Sequence, residues 1–107
     1  MPTLTTNGSG AASAQVATEP GCRYMFRWVK TAGLLAGTLT PSETTEDADT
    51  CGFSEWVSGG SPVAWNLASE SSGRMEFRAT AKVFNATISG GTASQSLRYV
   101  LLRLPWK

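Results

Sequence analysis

Two stretches of this chain alternate residue by residue between side chains of different character, and that period of two leaves little choice of fold. From Arg23 to Lys30, Tyr24, Phe26 and Trp28 point one way while Arg23, Met25, Arg27 and Val29 point the other. That is the pattern of a strand with one strongly apolar face. From Arg74 to Phe84, Met75, Phe77, Ala79, Ala81 and Val83 share one face, and Arg74, Glu76, Arg78, Thr80 and Lys82 share the other, so one long strand is expected there. A further strand over Leu97 to Leu104 is apolar on both faces in its middle. Such a strand is either central in a sandwich or covered by another subunit.

Between these stretches the signals are shorter. Leu34 to Thr40 reads as a strand ended by Pro41, and residues 42–50, SETTEDADT, as an acidic polar loop with room for a turn of helix at Pro41-Ser42-Glu43. Runs at Phe53–Val57 and Val63–Leu67 flank Ser58-Gly59-Gly60-Ser61-Pro62, a strong turn signal, and Gly90-Gly91 marks another turn after a short segment at Asn85–Ser89. No segment has a helical period together with caps. Six to eight short strands with turns every eight to twelve residues indicate an all-β fold. The expectation is one small β-sandwich or barrel, jelly-roll or immunoglobulin-like, over residues 21–107.

Residues 1–20 carry no charge before Glu19 and are rich in Thr, Ser, Ala and Gly. They read as an extended N-terminal arm that packs against the domain or a neighbouring subunit, with a floppy tail as the alternative. Leu4 and Val16 are the arm's candidate partner-binding residues.

At 107 residues the chain holds one core and no second domain. Only 16% of residues are charged and the formal net charge is +1, which leaves little to oppose association, so a homo-oligomer (a dimer or trimer) is expected. Basic residues are spread along the sequence, with no stripe for nucleic acid and no polybasic patch for a membrane surface. The N-terminus lacks the basic and apolar regions of a secretory signal, and Met-Pro-Thr reads as a native start, favouring a reducing compartment. Cys22 and Cys51 would then be buried thiols. If joined, they would close a loop of about 30 residues and contribute roughly 3–4 kcal/mol in the chain-entropy model.

The chain contains no histidine, which removes the commonest general base and metal ligand. No SxxK, Walker or GxGxxG motif is present, so catalysis is not expected. Glu43, Glu46, Asp47 and Asp49 offer oxygen ligands but lack the spacing of a calcium loop, and they read as a solvated loop. A glycosidase pair could be drawn from Glu55 with Glu70 or Glu76, but cross-strand ion pairing with Arg74 and Arg78 accounts for Glu76 more simply. No cofactor or metal site is expected. Four tryptophans stand out for this size. Trp28 belongs with the core, whereas Trp56, Trp65 and Trp106 either cap the ends of the sandwich or form a platform for sugar rings or a protein partner. Asn7-Gly8-Ser9 and Asn85-Ala86-Thr87 fit the N-glycosylation pattern, which chance explains in a Ser/Thr-rich chain.

In overall character the sequence resembles the small cement or decoration proteins of tailed-phage heads. The likeness rests on the Met start, the uncharged arm at 1–20, the β domain at 21–107, the low charge and the missing catalytic groups. It implies a non-enzymatic structural protein that binds junctions of the major capsid protein or another virion component, assembled into virions in the host cytoplasm. The alternative reading is a carbohydrate-binding β-sandwich that uses Trp56, Trp65 or Trp106.

Overall fold

The computed structural model describes residues 2–31, 36–45, 48–53 and 63–105. Nine strands lie among the described residues: β1 (Thr3–Thr5), β2 (Ala12–Ala17), β3 (Arg23–Lys30), β4 (Thr38–Thr44), β5 (Thr50–Gly52), β6 (Trp65–Asn66), β7 (Ser72–Arg78), β8 (Val83–Ser89) and β9 (Ser96–Arg103). The chain is all-β. One sheet has the order β1-β9-β3-β7 and the other β2-β8-β4-β5, with β6 also on β4; every pairing is antiparallel and neither sheet closes into a barrel.

The pairings are nested. First strand meets last (β1 with β9), second meets second-last (β2 with β8), then β3 meets β7 and β4 meets β5. The nesting extends through the crossings between sheets. The chain leaving β2 and the chain leaving β7 run side by side, with Thr18 N–H donating to the Lys82 carbonyl, Gly21 N–H to the Ala79 carbonyl and Ala79 N–H to the Cys22 carbonyl, at 2.8–2.9 Å.

β3 occupies the residues predicted for it, and Tyr24, Phe26 and Trp28 are buried. The single strand predicted over Arg74–Phe84 is instead two strands in different sheets. The apolar parity marks the break: odd residues Phe77, Ala79 and Ala81 are buried up to the crossing, then even residues Phe84, Ala86 and Ile88 after it. A change of parity turns the other side of the chain toward the core, and a chain entering the facing sheet requires that change.

Pro41 does not end a strand, and no helical turn starts there. β4 runs through it, with Pro41 opposite Ala86 on β8. On the other flank β6 reaches only Leu39 and β5 begins at Ser42, so Pro41 falls in a gap between two short partners, where a residue without an N–H disturbs the ladder least. The strand predicted over Leu34–Thr40 lies partly outside the described residues, as do most of Phe53–Val57 and the Gly59-Gly60 turn.

The segment at 1–20, expected to pack against the domain or a neighbour, contributes a strand to each sheet. β1 and β2 are edge strands, one for each sheet, and Leu4 is buried opposite Leu97. The absence of charge before Glu19 therefore reflects pairing within the chain. Removing residues 1–20 strips an edge from both sheets, so the truncation does not isolate an arm. Leu4→Ala is expected to lower the unfolding free energy of the isolated chain by about 2 kcal/mol, the low end for a buried leucine, in a urea titration. An unchanged midpoint would assign Leu4 to contacts outside the fold.

Inner faces of both sheets meet in an aromatic core. Phe26 of β3 lies 5.0 Å from Phe84 of β8, and Phe77 of β7 lies 5.2 Å from the same ring and 4.9 Å from Phe53. At one end of the fold the β1–β2 turn meets the loop after β8: Gly91 N–H donates to the Gly10 carbonyl at 3.0 Å, and Gly10 has φ +77°.

Candidate binding surface

The outer face of the four-stranded sheet is assembled from the residues that alternate away from the core. Cross-strand register sets them in rows. Arg78 stands opposite Arg23, Glu76 opposite Met25, Arg74 opposite Arg27, and Ser72 opposite Val29. On the far side of β3, Met25 faces Leu102, Arg27 faces Val100, and Val29 faces Arg98. Met25, Leu102, Val100 and Val29 thus form a diagonal apolar stripe within a field of arginines. Val29 is 40% exposed and Leu102 45%. An open depression of about 600 Å³ sits in this face between Arg27, Val29, Ser72, Gly73, Arg74 and Val100.

Five of the nine basic residues, Arg23, Arg27, Arg74, Arg78 and Arg98, gather here against one carboxylate among the described residues, that of Glu76. Their spread along the sequence does not survive folding, because three strands distant in the chain bring them to one face. The outer face of the five-stranded sheet is the opposite. Ser13, Gln15, Thr38, Thr40, Ser42, Thr44, Asn85 and Thr87 lie on it, with no charge among the described residues of this face.

Two basic pairs on the arginine face, Arg23–Arg78 and Arg27–Arg74, are directly opposite in register, an arrangement that destabilises a sheet. Arg78 donates to the Gly21 carbonyl at 3.0 Å. Glu76 makes no ion pair among the described residues, so the expected cross-strand pairing does not explain it. Arg103 lies off this face, on Glu19 at 3.0 Å and on the Cys22 Sγ at 3.1 Å.

The other candidates fall elsewhere. Val16 of β2 is half-buried, on the inward-alternating side of its strand opposite Phe84. Trp65 is half-buried, its ring 5.8 Å from Trp28 and 5.9 Å from Phe26. Gly73 makes room for this pair, since a Cβ there would lie 2.5 Å from the Trp28 Nε1 and 2.7 Å from the Trp65 Nε1. Trp65 is therefore a core-edge residue, not an open platform. Trp56 and Trp106 lie outside the described residues.

Glu43 is not in a solvated loop. It is fully buried on the inner face of β4, and its carboxylate accepts from the Thr80 N–H at 3.2 Å and the Thr80 hydroxyl at 2.6 Å. Asp49 is exposed, and Glu46 and Asp47 lie outside the described residues. Among the described residues no group of three or more His, Cys, Asp or Glu could hold a metal ion. Glu70 accepts from the Asn66 N–H at 3.1 Å, closing its own turn; Glu55 is outside the described residues. Cys22 and Cys51 are not joined: Cys22 precedes β3 in one sheet and Cys51 lies in β5 of the other.

Asn85 is buried, and its amide donates to Thr44 Oγ1 at 2.8 Å and Ser42 Oγ at 3.3 Å. A glycan could not be carried there without breaking this network. Asn7 uses its side-chain oxygen to accept from Ser9 and the Ala11 N–H, shaping the β1–β2 turn.

No protein-family model and no curated protein matches the chain. The candidate surface therefore stands on its own geometry. The arginine pairs were missed by sequence reasoning because their signal is the register between strands. Only the charged positions of β3 and β7, seen as facing rows, could have pointed to it.

Proposed function

We propose that this chain is a non-enzymatic structural protein of a viral particle, a capsid decoration or cement protein that binds junctions of the major capsid protein. The observation that carries the reading is the nested strand pairing. With the two-residue β6 set aside, eight strands form one long hairpin rolled into two sheets. That supports a jelly roll, an architecture that viral capsid and lectin domains share. Architecture alone does not choose between those roles; side chains do.

A glycan platform loses Trp65, which is packed against Trp28 and Phe26. A protein contact gains the exposed Val29 and Leu102. Covering what remains exposed of each yields about 1 kcal/mol per site, a modest term that matters when repeated at every symmetry-related position of a shell. In this reading the chain works as a dimer or trimer in the virion and takes neither nucleic acid nor membrane as its partner.

The test is mass spectrometry of particles purified from cells that express the protein, followed by add-back to shells stripped of it. The expected result is a fixed copy number per particle and an increase in shell melting temperature on add-back. Absence from particles, together with no co-sedimentation with shells, would sink the proposal.

A further inference from the structure

We infer that the outer face of the four-stranded sheet docks on a carboxylate-rich protein surface, with Arg27 and Arg74 as its central anchors. This rests on that face being the contact surface in the proposed role, and it names the chemistry of the partner.

The charge balance of the face comes first. Among the described residues it carries five arginines and one glutamate, in a chain whose net charge is only +1. Arg27 and Arg74 are register partners, which puts their Cβ atoms roughly 4.5–5.5 Å apart. Two guanidinium groups so placed repel one another in the isolated domain. A carboxylate set between them accepts from both and removes the repulsion, and planar bidentate donation is what arginine offers to such a group. The bound state therefore gains an interaction that the free domain lacks.

The apolar stripe decides the class of partner. Met25, Leu102, Val100 and Val29 run through the middle of the arginine field, whereas a nucleic-acid backbone would set phosphates against them. Nor, among the described residues, is there an aromatic ring on this face to stack on bases: Tyr24, Phe26, Trp28, Phe77 and Tyr99 all alternate to the inner side. Arginine and methionine, with no lysine among the described residues of the face, is the composition of a protein interface. Strands of three, eight, eight and seven residues, set about 4.8 Å apart with a rise of about 3.3 Å per residue, give a footprint of about 400 Å². That is less than the ~800 Å² per partner of a standard interface, so a single contact is weak and many together are strong.

The experiment uses the full chain with labelled poly-L-glutamate as probe and an oligothymidine of matched charge as comparison. Binding to poly-L-glutamate is expected to weaken at least about tenfold between ~50 and ~300 mM salt. The double variant Arg27→Ala/Arg74→Ala is expected to weaken it by about the same factor, because both anchors of the pair are gone. Its melting temperature should be unchanged or higher, since a like-charge pair has been removed, so lost binding cannot be ascribed to lost folding.

Four results would overturn the inference. These are no binding to poly-L-glutamate, equal binding by the double variant, tighter binding to the oligothymidine, and self-association that the double variant abolishes (a second copy as occupant). Failure here with the protein still present in particles removes the carboxylate chemistry alone. Absence from particles with poly-L-glutamate binding intact removes the virion role alone.

Discussion

Alanine in place of Phe26 is expected to lower the unfolding free energy of the domain by about 3–5 kcal/mol, the cost of truncating a fully buried phenylalanine. Phe26 is fully buried and touches both layers: Phe84 at 5.0 Å and Trp65 at 5.9 Å from the five-stranded sheet, Tyr99 at 6.4 Å from its own. No neighbouring ring can follow the lost side chain without leaving its own sheet, so the cavity stays open. Domains of this size have total stabilities of about 5–15 kcal/mol, and the variant therefore sits close to unfolding at ambient temperature. Urea denaturation followed by tryptophan fluorescence measures the loss. A change below about 1 kcal/mol would mean that the sheets are not joined through this ring.

The second large effect belongs to a residue with no side chain. Gly10→Ala is expected to cost about 3 kcal/mol or more, from a positive-φ position combined with a backbone collision. A Cβ at Gly10 falls on the carbonyl of Gly91, while Gly91 in turn donates its N–H to the Gly10 carbonyl. Both partners are main chain, so neither can rotate away as a side chain would. The melting temperature is expected to fall by more than about 10 °C. Gly8→Ala in the same turn meets nothing within 4 Å, so it serves as the control and is expected to melt within a few degrees of the parent. If both variants melted alike, the close approach of these two backbone segments would be wrong.

How much was legible in the sequence depends on how local the determining physics is. β3 could be read directly because alternation within one strand needs no knowledge of its neighbours. The last strand was legible for the same reason, and its two apolar faces have two separate explanations. Leu97, Tyr99 and Leu101 face the core, while Val100 and Leu102 join the arginine face. The break between Arg78 and Val83 was hidden because small alanines keep the period of two through the crossing, and only the later change of parity betrays it.

The N-terminal segment reads as packing against the domain or a neighbour, and its pairing as two strands was hidden for a different reason. An uncharged Ser/Thr/Ala stretch has the composition of a tail, but edge strands also need few charges when their partners lie in the same chain. β1 finds its partner 91–95 residues away in sequence and β2 its partner 66–76 residues away, where no local pattern announces them. The candidate surface shows the same limit. Arg27 and Arg74 are 47 positions apart in the chain, and nothing short of the β3–β7 register makes them neighbours. Glu43 misled because its sequence neighbours Glu46, Asp47 and Asp49 are all acidic, while strand alternation turns Glu43 inward to Thr80.

The nested pairing also sets the order in which the fold can be completed during synthesis. β4 and β5 can meet as soon as residue 52 has left the ribosome, but β7, β8 and β9 arrive in turn, each closing a larger loop than the last. β1 waits longest, since Thr3 must hold its place until Arg98 has emerged. Contacts of such long range make folding slow and leave strand edges open in the meantime. A nascent chain of this design is most vulnerable just before β9 emerges, and the sparse charge of residues 1–18 offers those waiting edges little electrostatic protection from one another.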